Sequence, residues 1–197
     1  TAPEIAAGEK TLTGVPNGDY EIKLKNGTFV RGRTNLLIEG DALLPAGGDL
    51  ADAIAAMASG GVLVLTNGAD YPLVETDTIR SSIKIRGLFP EDLPKVYLMT
   101  GGGNHMFDIG TSMTISDFLI FENVDISCYY DDAGVTRHRG IIDQENDAFT
   151  IGLIRFSNCI LRNSGRSAIR LRGNASGQVI DNVEFLDCVM YDFAFDS

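Results

Sequence analysis

One short pattern recurs four times in this chain and constrains its fold more than any other feature. Ile83-Lys84-Ile85-Arg86-Gly87, Leu119-Ile120-Phe121-Glu122-Asn123, Ile154-Arg155-Phe156-Ser157-Asn158 and Val183-Glu184-Phe185-Leu186-Asp187 align without gaps. Each reads apolar, any, apolar, any, then Gly, Asn or Asp. In the last three the alternation resumes past the turn residue, at Val124 and Ile126, Cys159 and Leu161, and Cys188 and Met190. From Ile85 to Phe121, Phe156 and Phe185 the intervals are 36, 35 and 29 residues.

A period of two within each segment means strands, and it excludes helical solenoids, whose period is 3.6. Leucine-rich repeats would need shorter, more regular spacing. Repetition at tens of residues means stacked coils, each burying its apolar face against its neighbours. The fold class that follows is all-β, a right-handed parallel β-helix. Gly87, Asn123, Asn158 and Asp187 are then residues able to bend the chain through left-handed backbone. They predict a turn ladder whose side-chain amides bond from coil to coil, about 4.8 Å apart. A third strand per coil falls around Met106–Ile109, Gly140–Ile142 and Ala168–Leu171. Cys159 and Cys188 hold equivalent places and stack inward as small apolar residues rather than as a disulfide.

Ahead of these coils, Asp49 can cap a helix in which Leu50, Ala53, Ile54 and Met57 share a face, with Ser59-Gly60-Gly61 ending it. An amphipathic helix here would cover the open end of a β-helix, hiding its core and its unpaired strand edge. Val62–Leu65 follows as a short buried strand and Thr66-Asn67-Gly68 as a turn. Residues 35–48, ending in Pro45-Ala46-Gly47-Gly48, read as a linker. Before it, Tyr20, Ile22 and Leu24 alternate with polar residues, Asn26-Gly27 marks a hairpin turn, and Thr28–Arg33 returns.

With its Leu12-Thr13-Gly14-Val15-Pro16 turn ahead of Tyr20, this first stretch resembles the last strands of a fibronectin type III module. There such a Tyr forms the tyrosine corner. The alternative is a lone hairpin. The helix and coil repeat of residues 49–197, with its Phe-x-Asn-Cys turns, resemble the pectate-lyase and chondroitinase-B-like β-helix superfamily. They are also similar to secreted Bacteroidetes proteins in which a fibronectin-like module precedes such a helix. The expected organisation is a partial fibronectin type III-like segment and linker over 1–45 and a β-helix over 46–197. The β-helix is expected to be cut short, because a coil strand runs straight into Tyr191–Ser197 with no second cap. Four coils stack to only about 19 Å.

The resemblance implies a secreted, periplasmic or cell-surface protein that binds acidic polysaccharide or cleaves it by β-elimination. A non-catalytic glycan-binding or adhesive module is the alternative. Elimination needs a base beside the uronate carboxyl group and cations to neutralise it. The net charge of −11, with 16 Lys+Arg against 27 Asp+Glu, argues against a nucleic-acid partner, which requires a positive face. No apolar run is long enough to span a bilayer.

A local basic segment nevertheless exists. Arg137, Arg139, Arg155, Arg162, Arg166, Arg170 and Arg172 face only Asp143, Glu145 and Asp147 in the same stretch. Arg170 and Arg172 alternate with Ile169 and Leu171, so they point outward. Arg166, Arg170 and Arg172 are the expected carboxylate-binding group, with Arg155 on another strand and Tyr130 as a stacking residue. The competing reading pairs Arg166, Arg170 and Arg172 with acids on adjacent coils. His138 and Arg170 are the candidate catalytic residues, and His105 is a weaker one. No Lys follows residue 95, a departure from the chondroitinase-B pattern. No cofactor is expected, apart from Ca²⁺ as a candidate at Asp143, Glu145 and Asp147, which lack the glycine spacing of a calcium loop.

Overall fold

The computed structural model describes residues 18–23, 29–34, 41–88, 90–99, 105–128, 140–144, 148–165, 167–171 and 177–193. The chain divides into two compact units, Thr1–Leu36 and Leu37–Ser197. In the first, β1 (Gly18–Lys23) and β2 (Phe29–Thr34) form an antiparallel pair with Tyr20 opposite Gly32 and Ile22 opposite Val30. The hairpin is as expected, with its returning strand one residue later. Its Asn26-Gly27 turn lies outside the described residues.

The second unit is a parallel β-helix with three sheets. The first sheet stacks β3 (Ala42–Leu44), β4 (Gly61–Leu65), β7 (Ile83–Gly87), β10 (Phe118–Glu122), β13 (Phe149–Ser157) and β16 (Gln178–Leu186). The second stacks β5 (Asp70–Leu73), β8 (Lys95–Leu98), β11 (Asp125–Ser127), β14 (Ile160–Arg162) and β17 (Val189–Tyr191). The third stacks β6 (Asp77–Ile79), β9 (Phe107–Ile109), β12 (Gly140–Gln144) and β15 (Ser167–Leu171). The chain visits the three sheets in turn and climbs one rung per circuit.

The register reproduces the repeat. Ile83, Leu119, Ile154 and Val183 are partners in succession, and so are Ile85, Phe121, Phe156 and Phe185. These inward positions are buried through the third of them, and the aromatic rings form a column. Phe121 and Phe156 lie 5.3 Å apart, as do Phe156 and Phe185, both pairs nearly parallel. Phe107 of the third sheet meets Phe121 at 5.5 Å.

Asn123, Asn158 and Asp187 have φ of 55°, 50° and 52°. That is the left-handed backbone the sharp bend requires. The amide ladder is present: Asn158 donates to the Asn123 side-chain oxygen at 2.9 Å, and Asn123 donates to the Gly87 carbonyl at 3.5 Å. Gly87 itself belongs to the series for another reason. It is not among the residues of positive φ. A β-carbon there would press into the Asn123 carbonyl oxygen and the Pro94 ring. A second turn series follows the second sheet. Asn163 and Asp192 have φ of 60° and 56°, and Asn163 donates to the Ser127 hydroxyl at 2.8 Å.

Two elements extend the expectation at the N-terminal end. The strand β4 pairs with β7, Leu63 opposite Ile85. So β4, β5 and β6 form a complete coil ahead of the four recognised in the repeat. It escapes the pattern because Leu65 stands where the later coils have Gly, Asn or Asp. The expected linker over 35–48 also contains β3, which pairs in parallel with β4 and buries Leu44. Its carbonyl is held by side chains: the Tyr71 hydroxyl donates to Leu44 O at 2.8 Å and the Thr66 hydroxyl at 3.1 Å.

The helix α1 (Leu50–Ala56) therefore lies between two strands of the first sheet rather than before the sheet begins. Asp49 caps it, accepting from the Asp52 amide at 3.0 Å, and Leu50 and Ile54 are buried. α1 packs on β5 and β6 while β3 lies along β4. All three sheets are thus covered at this end. The left-handed Gly60, φ 82°, turns the chain from helix into β4.

Candidate functional site

With the core positions turned inward, the chemistry of this chain sits on the outward rows of the three sheets. On the first sheet, Lys84, Ile120, Arg155 and Glu184 form one row, and Arg86, Glu122 and Ser157 the next. Opposite charges on adjacent rungs pair. Lys84 meets Glu122 at 2.5 Å and Arg155 meets Glu184 at 2.6 Å. Arg86 holds Asp41 at 2.9 Å, both side chains nearly buried. On the second sheet Arg162 takes both oxygens of Asp125, Nε to Oδ1 at 2.9 Å and Nη2 to Oδ2 at 3.1 Å.

Arg155 and Arg162 thus pair with acids of adjacent coils. The Arg155 guanidinium holds the Glu184 carboxyl below the usual carboxylate range. Arg155 is on the first sheet and Arg170 on the third, so the structure places the two on different sheets.

The third sheet carries the other candidate. Register along it aligns Phe107 with Asp77, Thr78 with Asp108, Ile142 with Phe107, and Asp143 with Arg170. Between buried Phe107 and Ile109, Asp108 is directed outward. Its carboxylate meets His105 Nε2 at 2.6 Å, with His105 12% and Asp108 33% exposed. This pair was not legible as a unit in the sequence. Strand alternation alone would put positions three apart on opposite faces; the two side chains meet because the chain bends just before β9, where the consecutive Met106 and Phe107 are both buried.

Two concave surfaces among the described residues are acidic. A groove of about 350 Å³ on the first sheet is lined by Ser116, Asp117, Asp181, Asn182 and Glu184, among others. Asp117 is fully engaged, accepting from Ser82 at 2.6 Å and from the Thr114 amide at 2.7 Å. The Ser82 hydroxyl and the Thr114 amide together lower its carboxyl. A second recess, about 200 Å³, holds Asp49, Asp52, Glu75 and Asp77 beside α1. Both would repel an anionic ligand.

Of the expected site residues, Arg166, Arg172, Tyr130, His138, Glu145 and Asp147 lie outside the described residues. Asp143 is placed by its backbone alone, in β12 opposite Arg170. Among the described residues no group of three or more His, Cys, Asp or Glu could hold a metal ion. All three cysteines are free, with Cys128 and Cys159 buried. Burial pushes the Cys128 thiol up to about 12. Among the described residues no helix is long and apolar enough to cross a membrane.

No protein-family model and no curated protein matches the chain. A solved structure does. It is an arginine-to-alanine mutant of the PL6 family alginate lyase AlyGC, with a TM-score of 0.53 and 14% identity over 89% of this chain. The likeness is one of fold. It supports the parallel β-helix reached independently from the register of the three sheets. This chain spans 28% of that enzyme's length.

Proposed function

We propose that this β-helix binds an acidic, uronate-containing polysaccharide and degrades it by β-elimination, as part of a secreted, periplasmic or cell-surface protein. The observation that carries the reading is the position of Arg170. It lies on β15 of the third sheet, on the fold of a lyase whose substrate, alginate, is itself an acidic polysaccharide. Arg166 and Arg172 flank it in sequence and would add positive charge beside it. Arg suits a carboxylate because its planar fork binds both oxygens. Tyr130 would stack on a sugar ring, and Ca²⁺ bound by Asp143, Glu145 and Asp147 would neutralise a second carboxylate. The hairpin of the first unit fits the end of a fibronectin type III-like module, and the whole resembles secreted Bacteroidetes proteins of that build.

A specific observation favours a second reading, a non-catalytic glycan-binding or adhesive module. The chain has no Trp and no Lys after residue 95, so the later coils lack a lysine base and the whole chain lacks the largest sugar-stacking side chain.

An absorbance assay for the unsaturated uronate product separates the two. It is run on alginate, pectate and other acidic glycans, with and without Ca²⁺, beside calorimetric binding to the same panel. Product formation supports cleavage, and binding without product supports the module. Neither binding nor product overturns both.

A further inference from the structure

We infer that His105 is the proton acceptor of the site on the third sheet and that Asp108 is its positioning residue; this rests on the polyuronate reading above. Three observations carry it. First, the two side chains are locked together at 2.6 Å, Asp108 Oδ1 against His105 Nε2. A carboxylate on Nε2 accepts its proton and fixes the tautomer, which leaves Nδ1 as the nitrogen that can take a proton.

Second, the backbone around His105 is held from both neighbouring rungs. The Thr76 hydroxyl donates to His105 O at 2.6 Å. The Met106 amide donates to Gly140 O at 3.1 Å, and the Asp77 amide donates to Met106 O at 3.0 Å. A base preorganised in this way loses little on meeting its substrate.

Third, the pair shares a sheet with Arg170. Thr78 aligns with Asp108, Phe107 with Ile142, and Asp143 with Arg170. Arg170 is therefore two rungs, about 10 Å, along the same row from Asp108. The strand below His105 carries Asp77 and the strand above carries Asp143, with Arg170 one rung further on. With no Lys after residue 95, His105 is the nitrogen base the described coils offer beside that row.

The step balances without a co-reactant. His105 Nδ1 takes the proton from the carbon bearing the uronate carboxyl group. The C–H electron pair becomes a carbon–carbon double bond. The adjacent bond from carbon to glycosidic oxygen breaks, and the departing oxygen takes a proton from the imidazolium or from water. An unsaturated uronate and a shortened chain result. Arg170 supplies the charge that stabilises the carboxylate as the proton leaves.

The test uses the full chain on whichever acidic glycan the wild type cleaves fastest. His105→Gln keeps an amide donor for Asp108 and should lower the rate of product formation at least about 100-fold, the usual worth of a general base. Asp108→Asn should lower kcat more than it raises KM. Asp108→Glu, which restores a carboxylate, should recover part of that kcat. A purely structural role would show neither the kcat-against-KM split nor the recovery. Thermal melting tests whether the variants fold. Should His105→Gln misfold, the Asp108→Asn kinetics alone decide, an unchanged kcat overturning the inference. If wild type is active and folded His105→Gln keeps its rate within a few-fold, the inference fails while the polyuronate reading stands. If wild type forms no product from any glycan, the reading fails and takes the inference with it.

Discussion

Asn158 donates its side-chain amide to the side-chain oxygen of Asn123 at 2.9 Å, one rung away, while both backbones are left-handed. The residue type is thus under two demands, a conformation and a partner. They can be separated. Asn158→Gly removes the hydrogen bond, worth about 1 kcal/mol; the relief from losing a β-carbon in left-handed backbone is offset by the greater freedom of Gly in the unfolded chain. Asn158→Ala removes the bond but keeps a β-carbon there without the local hydrogen bonding that lets Asn tolerate it, costing about 1 kcal/mol more. Urea unfolding should therefore rank wild type above Gly and Gly above Ala, in roughly equal steps. Equal stability of the two variants would mean that positive φ is not what selects Asn here.

This turn was legible because it is local: the residue after two alternating apolar positions recurs in every later coil. The inward rows were legible for the same reason. Arg155 and Glu184 hold the same place in successive aligned segments, twenty-nine residues apart, so that pair too follows from the alignment. What stayed hidden was pairing off the register: Arg162 reaches diagonally to Asp125, thirty-seven residues away, while Asp125 itself lies opposite Ile160. The first coil was hidden by Leu65, which occupies the turn position without being a turn residue. The strand at Ala42–Leu44 was hidden by its brevity beside Pro45-Ala46-Gly47-Gly48, whose composition reads as linker.

Phe156 is fully buried between Phe121 and Phe185, with ring centroids 5.3 Å away on each side. Phe156→Ala should cost about 3–5 kcal/mol, the range for an aromatic removed from a packed core. Phe185, 40% exposed on the outermost described rung, should cost clearly less when truncated. Denaturant midpoints of the two variants test the gradient. Equal losses would contradict the burial that the register assigns.

The stacked cysteines differ in reactivity. Cys159 donates to the Ser157 carbonyl at 3.3 Å and is buried. Its thiol, hydrogen-bonded to Cys188, holds Cys188 down to about 6, and its own ionisation is pushed up in return. At pH 7 iodoacetamide should therefore modify Cys188 first, and Cys128 only after unfolding. Cys159→Ala should return Cys188 toward ordinary thiol behaviour. The fall in thiolate fraction is partly offset by a more nucleophilic sulfur, so alkylation should slow by about fivefold. Peptide mass mapping of the first modified site settles the order. Early labelling of Cys128 would overturn it.

Asp77 stands at an inward position of the third sheet, aligned with buried Phe107 one rung above. One carboxylate oxygen accepts from the Thr78 amide at 2.8 Å. The other is buried without a hydrogen bond to the described residues. Desolvation raises its carboxyl above the usual 3.8, Asp49 of the helix cap adds to the rise, and Arg80 opposes it. The sign follows. The folded state binds this proton more tightly than the unfolded chain does, so Asp77 opposes folding once pH climbs through its raised value. That penalty is complete above the value and disappears below 3.8, where both states are protonated. Asp77→Asn keeps an acceptor for Thr78 and removes the charge. Its melting temperature should exceed the wild type's at pH 7, and the gap should close as pH falls toward 3. Thermal melts of both proteins across that range measure it. A gap that is constant with pH, or reversed at pH 7, would show that Asp77 is not the buried acid of the capped end.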